Sequence, residues 1–300
     1  MDAPQLETRQ LRYFLAVAEY GTFTKAADEL HIAQPSLSQA IAKLESQLGL
    51  PLFHRVGRRV VLSEAGRDLL EPCRRALRTM QAAEDAVLGN RQAHRGRLVI
   101  ATMPSPGISP GAELVAAFTA RHPGATVSVV AGWTAEEVTA MVKQGIVEVG
   151  LIAAARLRRE KDLVVVPLGA QPLVLVSQAP GPHPERHELA LADLAGCRLI
   201  TSHPGSVMRQ LVDDLLADQP DTVIACEVDH RTMILPLVHA GTGEAVLPAS
   251  WTDLAARSGL RVRPVTDAPR MWTAAVCRTS GLTPLATDFL QTISQVKADT

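Results

Sequence analysis

Between Gly21 and Gly49 the sequence spells two short helices and a tight turn, and this block leaves the first third of the chain few folds to choose from. Thr24 is placed as an N-cap ahead of Ala26, Ala27 and Leu30, whose spacing makes one helical stripe. The paired alanines let a neighbouring helix approach closely. Pro35 suits the opening of a second helix, where its missing N–H costs nothing. Leu37, Ile41, Leu44 and Leu48 then fall on one face, and Gly49 is placed to end the helix in a left-handed conformation. The opposite face carries Ser36, Gln39, Ala42, Lys43 and Ser46. This is the pattern of a helix-turn-helix, which lays its second helix in the major groove of DNA.

The side chains suit that task. Gln34, Pro35, Ser36, Ser38 and Gln39 occupy the end of the second helix that meets base edges. Glutamine bonds bidentately to adenine, and serine serves a base or a phosphate. Upstream, Leu11, Phe14, Leu15 and Ala18 form a helical face that packs on the pair. Downstream, residues 54–62 read as a β-hairpin with Gly57 near its turn and Arg55, Arg58 and Arg59 about its tip. A basic hairpin beside the helix is a wing for phosphate or minor-groove contact. The competing reading is an amphipathic bundle whose polar face is merely wet. Charge does not decide between them. Through Leu62, seven basic residues face six acidic ones, and the whole chain carries −1. Any positive footprint is therefore local, around Arg55, Arg58, Arg59 and Lys43.

Residues 11–19, 22–27, 34–38 and 48–53 closely resemble the winged helix-turn-helix of LysR-type transcriptional regulators, and Leu62 to Gly66 continue the match. The resemblance implies a homo-oligomeric, ligand-responsive transcription factor of bacterial type, pairing as a dimer and usually a tetramer. It would bind double-stranded DNA at a dyad-symmetric operator, and RNA polymerase is a further candidate partner. The family often has arginine after the helix serine where this chain has Gln39, so its base preference is its own.

From Ser63 to Leu88 the chain reads as one helix. Leu69, Cys73, Ala76, Met80, Ala83 and Val87 alternate by four and three, a heptad seam suited to a two-helix coil and hence to dimerisation. Pro72 bends it locally. The alternative is a helix packed on its own domain. Residues 91–97 then read as a polar hinge. This divides the chain into a winged helix-turn-helix over 1–62, a linker helix over 63–90, the hinge, and a sensor region over 98–300.

In the sensor region short apolar strands alternate with helices, which implies a mostly parallel α/β sheet covered on both faces. The overall class is α/β, with an all-α N-terminal winged domain. Two sets of such elements resemble the two-lobe fold of periplasmic binding proteins, the effector domain of the same family. The first lobe is expected over about 98–166 and 268–300, the second over about 167–267. Ligands in open α/β sheets sit beyond the carboxyl ends of strands. Those places hold Thr102, Pro104, Ser105, Thr134, Ser202, His203 and Thr232. The resemblance puts Ser105 and Thr134 where relatives bind small carboxylates, so the expected effector is a small anionic metabolite. The plainer reading makes these hydroxyls ordinary helix caps.

An enzyme needs a convergent acid, base, nucleophile or metal set, and no such motif is written here: no catalytic residue, no metal site and no cofactor is expected. Cys73, Cys197, Cys226 and Cys277 are scattered without a C-x-x-C pair and suit buried positions. A transport solute-binding protein would fit the two lobes alone, but leaves the first ninety residues without a use. With no export signal or membrane-spanning stretch in view, the expected location is the cytoplasm, at the nucleoid through DNA binding.

Overall fold

Apolar residues at helical spacing build the first compact unit, Met1–Gln92, and strands alternating with helices build the second, Ala93–Thr300. The computed structural model describes residues 6–56, 59–88, 96–217 and 221–298. The hinge expected at 91–97 lies almost wholly outside them, as do Gly57 and Arg58 of the wing tip.

In the first unit α1 (Thr8–Tyr20), α2 (Phe23–Glu29) and α3 (Gln34–Leu48) enclose Leu11, Phe14, Ala26, Ala27, Leu37, Ile41 and Leu44, each under a tenth exposed. Fully burying one such leucine or isoleucine contributes about 1.5–3 kcal/mol. The cap of α2 is Thr22, whose hydroxyl accepts from Lys25 N at 3.2 Å, so the N-cap falls two residues before Thr24. Gly49 closes α3 at φ 70° as its position requires. β1 (Phe53–Val56) and β2 (Arg59–Leu62) pair antiparallel as the wing. Ring contacts from Phe14 and Phe23 seat Phe53 on the helices.

α4 (Glu64–Leu88) runs through Pro72 without a break. Its start is clamped: Ser63 Oγ donates to Pro51 O at 2.5 Å and accepts from Gly66 N at 3.0 Å. Gly66 sits so close to the chain before the wing that a Cβ there would lie 2.1 Å from Leu52 O.

The second unit has two lobes. In the first, β3 (Gly96–Thr102), β4 (Ala125–Ala131), β5 (Val149–Ala154), β6 (Leu163–Gln171) and β13 (Met271–Arg278) form one sheet in the order β4-β3-β5-β13-β6. The short turn α5 (Pro104–Pro106), α6 (Ala112–Arg121), α7 (Ala135–Lys143) and α11 (Pro284–Ala298) accompany it. In the second lobe β7 (Leu173–Ser177), β8 (Leu189–Ala190), β11 (Ala245–Pro248) and β12 (Arg261–Thr266) lie in the order β11-β7-β12-β8. β9 (Arg198–Ser202) and β10 (Val223–Val228) extend this sheet through the parallel bridge of Leu199 with Glu244. α8 (Val207–Leu216), α9 (Ile234–His239) and α10 (Thr252–Arg257) complete the lobe.

Two expectations are corrected here. The sheets are mixed, not mostly parallel, because β13 returns antiparallel to both β5 and β6 and because β11 and β12 both run against β7. The first crossing between lobes also falls later than 166: β6 stays paired with β13 as far as Gln171 opposite Met271, and the chain crosses at Pro172. It returns between Thr266 and Met271, the interval that contains the expected 268.

Candidate DNA-reading face and effector cleft

Along α3 burial separates the two faces. Gln34, Pro35, Ser36, Gln39 and Lys43 are exposed and Ser38 is half-buried, while Leu37, Ile41 and Leu44 point into the core. Gln34 Nε2 donates to Ser38 Oγ at 2.7 Å, which ties together two side chains expected to meet DNA. Lys43 lies 3.5 Å from the Glu7 carboxylate, both well exposed. Such a surface pair is worth about 0–1 kcal/mol and yields readily to a phosphate. Arg59 is exposed on β2. Arg58 lies outside the described residues.

Glu45 was not singled out from the sequence. On the far end of α3, its carboxylate accepts from Leu52 N at 2.7 Å and from Phe53 N at 3.1 Å. Val60 N donates to Gly21 O at 2.9 Å, so both wing strands are anchored to the helices. The signal was a glutamate just before a helix C-terminus, where the dipole disfavours it unless it holds something.

The proposed seam on α4 is corrected at Cys73. Cys73 is 1 % exposed and its Sγ donates to Leu11 O at 3.3 Å, so it belongs to its own domain's core. Leu69 and Ala76 are half-buried against that same core. Met80 is 41 % exposed. The side chains of Ala83 and Val87 lie outside the described residues.

Between the lobes lies a cavity of about 650 Å³. Thr134, Lys143 and Arg156 line it from the first lobe and Gly205, Val207 and Gln210 from the second. Thr134 is a helix cap as well, accepting from Glu137 N at 3.1 Å. Lys143 is held by Glu160 at 2.8 Å, whereas Arg156 and Arg158 stay exposed on the loop after β5. That loop lies beyond the carboxyl end of a strand, the cue by which these arginines were findable.

The other expected residues lie elsewhere. Ser105 is 1 % exposed, and its hydroxyl accepts from Trp251 Nε1 at 3.1 Å across the two lobes. Thr102 lines a separate apolar hollow of about 370 Å³ with Gly107, Val115 and Val129, and its hydroxyl donates to Met103 O. Pro104 opens α5. Ser202 is buried, His203 is half-buried with Nδ1 donating to Pro204 O at 2.8 Å, and Thr232 is exposed. Of the seven, Thr134 is the one on the larger cavity. Cys73, Cys197 and Cys277 are buried and all four cysteines are free. Burial pushes the Cys73 thiol up to about 12 and the Cys197 thiol up to about 11. Among the described residues no helix is long and apolar enough to cross a membrane.

A winged helix-turn-helix on one unit and a two-lobed α/β domain with an interlobe cavity on the other define the class: a DNA-binding regulator that carries its own sensor. Residues 8–67 match the bacterial regulatory helix-turn-helix protein, lysR family, and residues 91–298 match the LysR substrate binding domain. The chain belongs to the LysR family of transcriptional regulators. It is 30% identical over 286 residues to the HTH-type transcriptional regulator CfxR of Cupriavidus necator, covering 93% of this chain and 88% of that one. It is 32% identical over 300 residues to IlvR of Caulobacter vibrioides, covering 97% and 98%. Full-length CbnR complexed with its target DNA superposes with a TM-score of 0.73 at 27% identity, covering 97% of this chain and 99% of that chain. Full-length OxyR from Pseudomonas aeruginosa, at 21% identity and a TM-score of 0.71 over 98% of this chain and 95% of that one, shares the fold. A family of transcriptional regulators leaves the transport reading without support, since it cannot use residues 8–67.

Proposed function

We propose that this regulator reads a dyad-symmetric operator with the exposed face of α3 and answers to a small anionic metabolite held between the lobes of its second unit. The observation that carries the reading is the division of α3. Its apolar face is sealed, while Gln34, Ser36 and Gln39 stand exposed at the end that meets base edges. Gln34 and Gln39 supply base contacts; Ser38, Lys43, Arg59 and Arg58 supply phosphate contacts. The near-neutral domain makes single-site affinity modest, so two protomers bind together. Pairing runs along α4 through its exposed stretch about Met80, with Ala83 and Val87 continuing it and Leu69 and Ala76 at the margin. Tetramer formation and contact with RNA polymerase belong to the same proposal, as does work in the cytoplasm.

On the sensor side, Arg156 and Arg158 outweigh Glu136 beyond the Lys143–Glu160 pair, so the cavity lining keeps a single positive charge in excess, which favours an anion. Binding changes the relation of the lobes, and that change is the two-state element that alters operator binding or activation.

Genomic footprinting of the purified protein tests the first half. Gln34→Ala with Gln39→Ala is expected to flatten sequence selectivity while leaving the fold intact; unchanged selectivity would reject α3 as the reading helix. Thr134→Val is expected to blunt the effector response without changing operator affinity.

A further inference from the structure

Threonine in the body of a helix has a local outlet for its hydroxyl, the carbonyl four residues back. Thr79, Thr119, Thr287 and Thr292 all take it, donating to Arg75 O, Val115 O, Thr283 O and Asp288 O. Thr139, in the middle of α7, does not. Among the described residues its hydroxyl has no hydrogen-bond partner, although the residue is only 7 % exposed. The oxygen is not sealed off either. Thr139 lines the interlobe cavity, so the opening it retains is onto that space.

The helix sets its surroundings. Ala135, Thr139 and Lys143 recur every four residues and make one row along the cavity wall, with Glu136 and Ala140 beside them. Ala135 leaves room on one side of the hydroxyl. Lys143 follows one turn on, about 6 Å along the axis, and is paired with Glu160. Arg156 and Arg158 stand on the loop after β5, and Gln210 adds an amide from the second lobe. The basic groups suit an oxyanion. Thr139 carries no charge, and one hydroxyl does not offset the desolvation of an ion. Its complement is a neutral oxygen, because a hydroxyl both donates and accepts. Left unpaired in a buried wall, it is a cost to the free protein, and a ligand that pairs with it gains over one that does not.

We propose that Thr139 is a specificity-determining residue of the effector site: among small anions it selects those that also carry a hydroxyl or keto oxygen. The proposal rests on the reading of the interlobe cavity as an anion-binding site, and it narrows the class of effector that site takes. A plain hydrocarbon acid leaves the Thr139 hydroxyl unpaired. A hydroxy acid, a keto acid or a hydroxylated phosphate ester satisfies it.

The test follows thermal unfolding of the full chain with anions matched in pairs that differ by one oxygen. The pairs are malate and succinate, citrate and tricarballylate, 2-oxoglutarate and glutarate, and glycerol 3-phosphate and propyl phosphate. In the wild type at least one oxygen-bearing member is expected to stabilise the second unit with an apparent Kd about fivefold or more below its partner's. Which pair shows the difference separates hydroxyl from keto oxygen and carboxylate from phosphate. Thr139→Val keeps the shape of the side chain and is expected to bring that pair to within about twofold, by weakening the oxygen-bearing member alone. Thr139→Ser is expected to restore the preference. Without any probe, Thr139→Val melts no lower than the wild type, because no bond is lost; a lower melting point would show the hydroxyl held within the protein and overturn the proposal. A preference that survives Thr139→Val would overturn it as well. Equal response of the wild type to both members of every pair would keep the cavity as an anion site and reject the role of Thr139. No response to any anion would reject both.

Discussion

Trp251 gives its indole N–H to the Ser105 hydroxyl at 3.1 Å, and this bond joins the segment after β11 in one lobe to the turn after β3 in the other. Both side chains are buried, so neither end finds water when its partner is removed. Ser105→Ala is expected to cost about 1–3 kcal/mol, the penalty of leaving a buried indole donor unpaired. Trp251→Phe costs more, because it also removes packed volume. A double-mutant cycle isolates the bond itself, with an expected coupling of about 1 kcal/mol in denaturant unfolding of the second unit. Additive losses would mean that the contact holds nothing.

Gly66 faces the Leu52 carbonyl so closely that a Cβ would stand 2.1 Å from its oxygen. Gly66→Ala is therefore expected to destabilise the first unit by about 3 kcal/mol, although alanine is the better helix former at an open site. Thermal melts that follow the two units separately measure it. A neutral or stabilising result would mean that α4 starts elsewhere in solution.

Cys73 gives the first unit an alkaline limit. The unfolded chain loses this proton in the ordinary thiol range, whereas the folded chain holds it up to about 12. In that window the unfolded state binds fewer protons, so stability is whole below it and falls as pH rises through it. The slope reaches about 1.4 kcal/mol per pH unit for one thiol. Cys73→Ala is expected to flatten this alkaline limb in denaturant titrations of the first unit. The same burial predicts slow thiol alkylation at Cys73 and Cys197 in the native state and faster reaction at the half-exposed Cys226.

Arg59 stands exposed on the wing and carries no base-reading role in this scheme. Arg59→Ala is expected to weaken binding to all DNA sequences alike and to lower the salt slope of affinity by about one. Gel shifts over a salt series on an operator and on unrelated DNA provide the measurement. A change in selectivity would move Arg59 among the base-reading residues.

The winged helix-turn-helix was legible because local spacing decides the burial of its helices: Leu37, Ile41 and Leu44 go in, and Gln34 and Gln39 stay out. Errors entered where a distant residue took part. Thr22, not Thr24, caps α2 and Phe23 opens it, in reach of Phe53 of the wing. Cys73 fits a heptad in sequence, yet α1 takes it first through Leu11. In the sensor region β6 and β13 escaped notice, since β13 finds its two partners far back in the chain. Ser105 reads as a cap or ligand group until Trp251 supplies its actual partner.

Glu45 holds the wing from the last turns of the same helix whose first turns face outward. The two duties therefore occupy separate lengths of one rod. On the proposed reading, substitutions within residues 34–39 change target preference while the anchorage of the wing by Glu45, at the other end, is left untouched. An engineer who transplants a new reading segment here should stop short of position 45, or the borrowed specificity arrives without its handhold.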